Sequence, residues 1–536
     1  MAENQVVLTR KILQKVIAFL KDSPWKNEYL PTVEHLDTHL EDQCVLAIGG
    51  RVKAGKSSLI NALLSEDLAK VGITATTATI NEFHYRSTED LKHLPGNIEC
   101  VYSSGHSEWV DREFLDSLQG QDSETLKKSR GIECLKYYLD NDILREMILV
   151  DTPGTEALVA EHTEAVENFF GMEKQVENSK ARVCAADAVL YAFENVATST
   201  AADFIEHFNQ VTGGLQRIIG VMTQVDLTDD RLANRSEIAK NIHRDLKDSI
   251  YTVVPVSAGI MRMLQKTEDS DILVKLHAML QKLTPQELGK LLLSENSWLC
   301  RPMESLPAEE REGIYQQFSC PWRVFAVTAQ TLSQNSVTHA KEQLTEIAGI
   351  ARLKKIIQEH LFARKRLFRY YSAITRILAI LYEILNLRIM ELKEKVDNDR
   401  EKMIRFCRFI AEHPQPNSPA ADELKHFLSQ YVCTENVEEW EKKIRKVILE
   451  VERSRIELEK FNLQIEVLDH MEKLKSQLSD FEIQEIINIA ELYGTASDPD
   501  FSRQMEWLSI AGDVYEPDDM RTLAQLMVRL YGSLQS

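Results

Sequence analysis

The sequence predicts an α/β P-loop domain, with a mostly parallel sheet and helices on both faces, followed by an all-α helical bundle or stalk. Between about residues 44 and 260, short runs rich in β-branched and aromatic residues alternate with helical stretches. This alternation is typical of a parallel sheet whose strands are connected by helices. After about residue 340 the strand signal ends and long apolar periodicities of helical spacing replace it.

The individual elements can be assigned in chain order. Residues 6–22 carry apolar positions at helical spacing and predict one amphipathic helix. The predicted strands are the runs CVLAIGG, TATINEFHY, IECLKYYL, MILVDTPG, AVLYAF, RIIGVMTQVD and TVVPVSA. Residues 260–320 are expected to be mostly helical, and a further strand is expected at 322–330, in the run WRVFAVTAQ. The predicted domains are an N-terminal helix that packs on the helical neck (1–40), the α/β domain (41–345), and the neck and stalk (346–536).

Residues 366–412 and 436–478 predict two long helices, separated by the breaker segment HPQPNSP. Joined by this polar loop, they would fold back as an antiparallel hairpin with its tip near 413–421. The second arm has the 3-4 apolar spacing of a coiled-coil or bundle seam, at Ile444, Val447, Val451, Ser454, Leu458, Phe461, Ile465 and Leu468. Packing against the first arm is the expected role of this seam, and self-association is the alternative.

Composition limits the classes of function. The 536 residues carry a formal net charge of −20, which argues against a nucleic-acid partner and against wholesale adhesion to an anionic bilayer. Eight scattered cysteines without zinc spacing are typical of a reducing compartment. No run of 18 apolar residues is present that would predict a transmembrane helix. We therefore expect a cytoplasmic protein that lies peripherally on the inner face of the membrane if it contacts lipid.

The segment Gly50–Ser57 reads G-x-x-x-x-G-K-S, directly after a predicted strand and before a predicted helix. This is the context that a phosphate-binding P-loop requires, because its backbone amides wrap phosphates at a helix N-terminus. Lys56 would place a cation on the β- and γ-phosphates, and the Ser57 hydroxyl would ligate Mg²⁺. The other predicted nucleotide-binding residues of this segment are Arg51, Val52, Lys53, Ala54, Gly55 and Ser58.

Two elements downstream predict further contacts to the metal and the γ-phosphate. Thr77, in a Thr-Thr pair about twenty residues past Lys56, can complete the Mg²⁺ shell. Asp151 follows the run MILV and begins the motif D-T-P-G. Its carboxylate would hold a Mg²⁺-bound water, and the Gly154 amide would meet the γ-phosphate.

The next motifs select guanine. The tetrad from Thr223 to Asp226 ends the run RIIGVM, where GTPases carry [NT]-K-x-D. The Asp226 carboxylate would accept two hydrogen bonds from guanine, whereas adenine would leave it unpaired, which disfavours an ATP-using switch. Gln224 replaces the usual lysine, and Ser257-Ala258 matches the loop whose backbone contacts the guanine oxygen. The sequence therefore predicts a GTPase that binds GTP, GDP and Mg²⁺.

These motifs resemble the dynamin superfamily, and within it the bacterial dynamin-like proteins. The resembling features are GGRVKAGKSSLINALL, the paired threonines, DTPG, the T-x-x-D motif and the helical hairpin. The segment AGIARLKKIIQEHLFARKRL is most similar to the actinobacterial class that includes isoniazid-inducible proteins. The resemblance implies GTP hydrolysis stimulated by G-domain dimerisation, and a stalk that remodels membranes. It implies as partners a second copy, in a dimer or higher oligomer, or a paralogous dynamin-like protein, together with membrane lipid.

Two departures from known GTPases leave no obvious side chain to orient the attacking water. Val52 stands where classical dynamins have glutamine, and Thr155 stands where small GTPases have it. Lys53 occupies the position of a cis arginine finger in the atlastin and guanylate-binding families, so it is a candidate to stabilise charge in the transition state. The alternative is a solvated P-loop lysine. The predicted catalytic set is Lys56, Ser57, Thr77 and Lys53.

Two segments bear on membrane contact. The run ELKHFLSQYVC at 423–433 is an amphipathic patch that would either dip into a bilayer interface or cap the helical bundle. The basic cluster Arg364, Lys365, Arg366 and Arg369 lies near the predicted hinge, where we expect ion pairing rather than lipid binding. Two functions stay open: a GTP-driven enzyme that remodels membranes, and a GTP-gated protein-interaction switch without direct lipid action.

Overall fold

The structure is a computed structural model, and it divides the chain into two compact units. One unit comprises residues 42–365, and the other comprises residues 1–41 together with 366–536. The described residues are 2–535 except 39, 41–42, 52, 65–79, 93–94, 103, 118–131, 152–185, 213–214, 247–248, 269, 413–433, 492–502 and 514–517.

The bounds of the elements are as follows. The strands are β1 Cys44–Gly50, β2 Ile80–Tyr85, β3 Ile98–Tyr102, β4 Ser107–Val110, β5 Ile132–Leu139, β6 Met147–Asp151, β7 Ala188–Phe193, β8 Ile218–Met222 and β9 Thr252–Pro255. The α-helices are α1 Ala2–Lys21, α2 Lys26–Thr38, α3 Lys56–Leu64, α4 Thr88–Leu91, α5 Arg112–Ser117, α6 Ser199–Thr212, α7 Asp229–Asp245, α8 Ala258–Thr267, α9 Ile272–Leu280, α10 Pro285–Leu291, α11 Glu295–Cys300, α12 Ala308–Phe318, α13 Trp322–Gln334, α14 Val337–Ala348, α15 Ile350–Ile356, α16 Lys365–Glu383, α17 Ile389–Glu412, α18 Thr434–Leu474, α19 Asp480–Glu491, α20 Gln504–Gly512 and α21 Asp518–Gln535. Short 3₁₀ and π segments lie at Asp142–Arg145, Ile357–Phe362 and Ile384–Arg388.

The sheet of the first unit has the strand order β4-β3-β5-β2-β6-β1-β7-β8-β9. Strands β6, β1, β7, β8 and β9 run parallel to one another, and β2 is parallel to β5. The antiparallel pairs are β2 with β6, β3 with β5, and β3 with β4. The predicted mostly parallel sheet is therefore confirmed, with an antiparallel hairpin, β3–β4, that the sequence analysis did not identify.

Both faces of the central strand β1 are covered. Val45 and Ala47 belong to a buried cluster with Phe208 of α6 and Ile242 of α7. Because side chains alternate along a strand, Leu46 and Ile48 point to the opposite face, where they are also fully buried. Helix α3 contacts β1 and β6. The helices therefore exclude water from the strand that leads into the P-loop.

Helices α8–α14, residues 258–348, form a helical lobe after the last strand. The lobe has a core of its own, which includes Leu276, Trp298 and Phe325. The strand predicted at 322–330 is wrong, because these residues lie in helix α13. Residues 324–329 of this helix are consecutive and all buried, and a buried run this short has the sequence pattern of a strand as much as of a helix.

Gly349 joins α14 to α15 and lies against the end of β9. Its φ is +69°, and an added Cβ would lie 2.2 Å from the Pro255 carbonyl oxygen. We therefore expect Gly349→Ala to lower the free energy of unfolding by about 2–4 kcal/mol, since both the backbone and Pro255 must shift. Gly313, inside α12, has nothing within 4 Å of an added Cβ, so Gly313→Ala should stabilise by about 0.4–1 kcal/mol. Urea denaturation of both variants tests this, and similar effects at the two sites would contradict it.

The second unit is helical in its described residues and contains the predicted hairpin. Three polar contacts join its two arms: Tyr371 with Glu459, Tyr382 with Glu452, and Lys393 with Glu441. Residue numbers rise along one arm while they fall along the other, so the arms are antiparallel as predicted. The predicted tip at 413–421 and the amphipathic patch at 423–433 lie outside the described residues. Among the residues the structure does describe, no helix has the length and apolarity needed to cross a membrane.

The predicted seam on α18 is used within this unit. Ile444, Val451 and Leu458 are buried, and α18 contacts α17 of the other arm as well as α1. The α1 contact includes an ion pair between Lys15 and Glu450 at 2.8 Å. Helix α2 was missed by the sequence analysis because it contains a proline, a residue that usually ends a helix.

Candidate functional site

The P-loop turn depends on glycine at two positions between β1 and α3. Gly50 has a φ of +138°, and an added Cβ would lie 2.8 Å from the Ala192 carbonyl oxygen of β7. Gly55 has a φ of +81°, and an added Cβ would lie 3.5 Å from Thr223. Side chains rarely adopt such backbone angles. The turn therefore places the N-terminus of α3 at the carboxyl ends of the parallel strands, where α/β proteins bind ligands.

Lys56 is the first residue of α3 and is folded back onto the P-loop. Its Nζ donates to the carbonyl oxygens of Gly50 at 3.1 Å and Arg51 at 3.0 Å. The residue is 6% exposed. Burial lowers the pKa of the Lys56 ammonium from its ordinary value, and the charge of Asp151 opposes that shift. The Lys56 ammonium is therefore close enough to Asp151 for their charges to interact.

Asp151 ends β6 beside β1 and has the features expected of a carboxylate near a bound cation. It is 6% exposed, and its Oδ1 has no hydrogen-bond partner among the described residues. Burial raises the pKa of its carboxyl group to about 7, although Lys56 lowers it in turn. A buried oxygen without a partner costs free energy that a hydrated cation would offset.

Ser57 supplies a second oxygen for such a cation. It lies half-buried in the first turn of α3, and Mg²⁺ prefers oxygen ligands and retains several of its waters. Ser57 and Asp151 therefore fit a hydrated Mg²⁺ bound beside a phosphate. Thr77, Gly154 and Val52 lie outside the described residues.

The residues after β8 hold the P-loop from the other side. The Thr223 hydroxyl contacts the Ala54 carbonyl oxygen at 2.6 Å and the Phe193 carbonyl oxygen at 3.1 Å. The Gln224 Nε2 donates to the Lys53 carbonyl oxygen at 3.0 Å. Gln224, at a φ of +55°, and Lys53, at +66°, both have left-handed backbones. Gln224, which replaces the usual lysine, therefore connects the predicted base-reading motif to the P-loop by a neutral hydrogen bond.

Thr223→Val is expected to lower the free energy of unfolding by about 1–3 kcal/mol, because the buried Ala54 carbonyl oxygen loses its hydroxyl donor. Valine keeps the shape of the side chain. Thr328, equally buried, donates its hydroxyl to the Val324 carbonyl oxygen within its own helix, so Thr328→Val should cost less. Denaturant titration of both variants checks the order, and equal losses would refute it.

The two loops predicted to read the base are neighbours. The Val225 amide donates to the Val256 carbonyl oxygen at 3.4 Å, which places the loop containing Asp226 beside the end of β9. The Ser257 hydroxyl caps α8 by accepting a hydrogen bond from the Ile260 amide. An added Cβ on Gly259 would lie 3.7 Å from the Asp226 Oδ2. The half-buried Asp226 carboxylate therefore lies near the first turn of α8, which begins at Ala258.

The remaining predicted residues surround this site, and one contributor was missed. Arg51 and Lys53 are exposed, whereas Ala54 is buried and Ser58 is half-buried. The missed residue is Arg323 of α13, whose Nε donates to the Asp226 carbonyl oxygen at 3.4 Å. No local sequence signal marks it, because 97 residues separate the two positions and the pattern of its segment predicts a strand.

Residues 46–225 match the family model described as Dynamin family. The isoniazid-induced protein IniC of Mycobacterium tuberculosis is 22% identical over 306 residues, 54% of this chain and 58% of IniC. An uncharacterised protein of Caldicellulosiruptor sp. is 20% identical over 259 residues, 47% of this chain and 59% of that protein. The chain therefore spans somewhat more than half the length of these relatives.

Two solved chains with overall likeness come from an oligomerised bacterial dynamin pair, described as providing a mechanism for long-range sensing and tethering of membranes. One is 15% identical with a TM-score of 0.33, and the other is 14% identical with a TM-score of 0.28. Each comparison covers 99% of this chain and 80% of the solved chain.

Proposed function

We propose that this chain is a GTPase of the dynamin family, as the match of residues 46–225 to the dynamin family model supports, and that it hydrolyses GTP to move its helical stalk and remodel membranes. Hydrolysis would be stimulated when two G domains dimerise. The partner would be a second copy of the chain, within a dimer or a higher oligomer, or a paralogous dynamin-like protein. The site of action would be lipid at the inner face of the membrane.

The observation that carries the nucleotide part of this proposal is the arrangement of groups at the carboxyl edge of the sheet. Lys56 and Asp151 lie at the P-loop end, and Asp226 and Ser257 lie in two adjacent loops. Thr223 and Gln224 connect the two ends through hydrogen bonds to the P-loop backbone. A nucleotide presents phosphates and a base at opposite ends, so one molecule would engage both sets of residues.

We assign the roles as follows. Lys56 and the P-loop amides bind the β- and γ-phosphates, with Arg51, Val52, Ala54, Gly55 and Ser58 in the same segment. Ser57 and Thr77 would ligate Mg²⁺, Asp151 would hold it through a water, and Gly154 would contact the γ-phosphate. Bound Mg²⁺ would neutralise charge that develops on the phosphates. Asp226 reads guanine, supported by Thr223, Gln224, Ser257 and Ala258.

Lys53 is the candidate for charge stabilisation during hydrolysis. It is exposed on the P-loop, and its left-handed backbone is fixed by the hydrogen bond from Gln224 to its carbonyl oxygen. An exposed cation on a fixed backbone could reach the phosphates of a nucleotide bound to its own loop.

The basic cluster Arg364, Lys365, Arg366 and Arg369 bears on where the chain would contact lipid. Lys365 pairs with Glu146 at 2.5 Å, and Arg364 is only 2% exposed. The expected ion pairing is therefore present at Lys365, and the Arg364 side chain is too buried to contact a bilayer.

The test is hydrolysis of GTP and ATP by the purified chain over a range of protein concentrations, with and without anionic liposomes. Lys56→Ala is the control for turnover at this site. We expect turnover selective for GTP that rises with protein concentration and with liposomes. GTP turnover that never responds to liposomes, together with no co-sedimentation, would overturn membrane remodelling and favour a GTP-gated interaction switch. Equal turnover of ATP would overturn the guanine assignment.

A further inference from the structure

We propose that Arg323 of the helical lobe is a positioning residue for guanine recognition, because it fixes the loop that carries Asp226. This inference rests on the proposed function, since it concerns the base half of the same nucleotide site. The lobe would then be part of the specificity apparatus rather than a connection between the sheet and the next helices.

Arg323 spans the base-reading loop. Its Nε donates to the Asp226 carbonyl oxygen at 3.4 Å, and its Nη2 donates to the Asp229 carboxylate at 2.7 Å. The guanidinium therefore contacts the loop both at Asp226 and at the first residue of α7. A planar guanidinium presents its donors in a fixed fork, so two simultaneous contacts restrict the loop more than one would.

The next residue of α13 contacts the first turn of α8, which follows the other predicted base-reading loop. Val324 is 1% exposed, and an added Cβ on Gly259 would lie 2.8 Å from its Cγ2. The same imagined Cβ would lie 3.7 Å from the Asp226 Oδ2. Arg323 and Val324, neighbours on α13, thus contact the loop that carries Asp226 and the first turn of α8.

The lobe core holds this turn in place. Helix α13 begins directly after Pro321, whose φ is −56° and ψ is 147°. Phe325, one residue past Val324, packs against Trp298 at 5.0 Å, Tyr315 at 4.9 Å and Phe318 at 5.3 Å between ring centroids. Aromatic packing of this kind leaves the backbone of α13 little freedom. The position of Arg323 is therefore set by the lobe and transmitted to the loop.

Charge pairing by itself does not explain this arrangement. The Asp229 side chain is 83% exposed and the Arg323 side chain is 29% exposed, and exposed ion pairs contribute little. Removal of Arg323 should therefore change the position of the Asp226 carboxylate relative to the base, and with it the preference for guanine. Stability is expected to change much less.

The experiment compares GDP with inosine diphosphate, which lacks the exocyclic amine that guanine donates to Asp226. Dissociation constants for both are measured in the wild-type chain and in Arg323→Ala, Arg323→Lys and Arg235→Ala. Arg235 is the matched control, since it is a half-buried arginine on α7 whose Nη1 donates to Leu232 of its own helix. Thermal unfolding of each variant is recorded alongside.

We expect Arg323→Ala to weaken GDP binding about 3- to 10-fold and inosine diphosphate binding less, so that the preference for GDP falls. Arg323→Lys should lie between wild type and alanine, because lysine keeps the charge but lacks the fork. Arg235→Ala should leave both constants unchanged.

One result would overturn the inference: an unchanged preference for GDP in Arg323→Ala, whether neither dissociation constant changes or both rise by the same factor, as a purely structural role predicts. If Arg323→Ala does not fold, an unchanged preference in Arg323→Lys overturns it. Failure of the wild-type chain to bind either nucleotide would instead overturn the proposed function.

Discussion

Lys56→Ala is expected to abolish GTP hydrolysis and most of the nucleotide affinity. Lys56 is the buried cation of the P-loop, and its Nζ donates hydrogen bonds to two P-loop carbonyl oxygens. Loss of one group that stabilises developing charge commonly costs about 10²- to 10³-fold in turnover. The phosphates also lose a charge-assisted hydrogen bond in the ground state, which weakens binding.

Single-turnover hydrolysis and equilibrium binding of a fluorescent GTP analogue measure the two effects separately. Lys92→Ala is the matched control, since Lys92 is an exposed lysine of the same unit that pairs with Glu89, and it should behave as wild type. Circular dichroism should show that Lys56→Ala stays folded. Burying a charge costs free energy, and the alanine variant no longer has a charge at this buried position. GTP turnover that survives in Lys56→Ala would place the active site elsewhere.

Asp226→Asn is expected to replace the preference for guanine by a preference for xanthine. The carboxylate presents only acceptors, which match the two donors on the edge of guanine. Asparagine presents one acceptor and one donor, which match the N1–H and C2 carbonyl of xanthine. Because a buried mismatch leaves polar groups unpaired, we expect GTP binding to weaken by about 10²-fold or more while XTP binding improves.

Competition of GTP, XTP and ATP against a fluorescent GDP analogue measures this change. Asp230→Asn on α7 provides the control, since Asp230 is an exposed aspartate four residues further along the chain. An Asp226→Asn variant that keeps the selectivity of wild type would remove Asp226 from base recognition. It would also remove the physical basis for the role of Arg323.

Gln224 shows how a departure from a familiar motif is accommodated. A lysine at this position packs along the base and the P-loop with a long charged side chain. Gln224 reaches the same loop through one amide donor on the Lys53 carbonyl oxygen, aided by its own left-handed backbone. The sequence predicted that a glutamine could pack there, but the backbone angle that aims it comes from the surrounding loop.

The strand, turn and helix that contain the P-loop motif could be predicted because their determinants are local. A strand, a glycine-rich turn and a helix are specified within residues 44–64, and the structure has β1, the turn and α3 in that order. The hairpin arms were likewise predictable, since apolar periodicity over tens of residues reports a helix directly. Both results rest on interactions between residues that are near in sequence.

Helix α13 could not be predicted by the same means. Its residues 324–329 are mostly β-branched, aromatic or small and are all buried, which is the composition of a buried strand as much as of a buried helix. Only the packing of Phe325 among the rings of Trp298, Tyr315 and Phe318 distinguishes the two. The polar positions Arg323, Gln330 and Gln334 flank this run rather than interrupt it, so the run itself carries no helical period.

The sequence by itself therefore determined the order of the nucleotide motifs, the parallel sheet that carries them and the helical hairpin. Tertiary structure decided the state of residues 322–334, the pairing of Arg323 with Asp226 and the close approach of Gly349 to Pro255. The physical reason is the separation of the partners along the chain. Local patterns specify the backbone conformation of a segment, whereas contacts between residues about a hundred positions apart exist only after the core has packed.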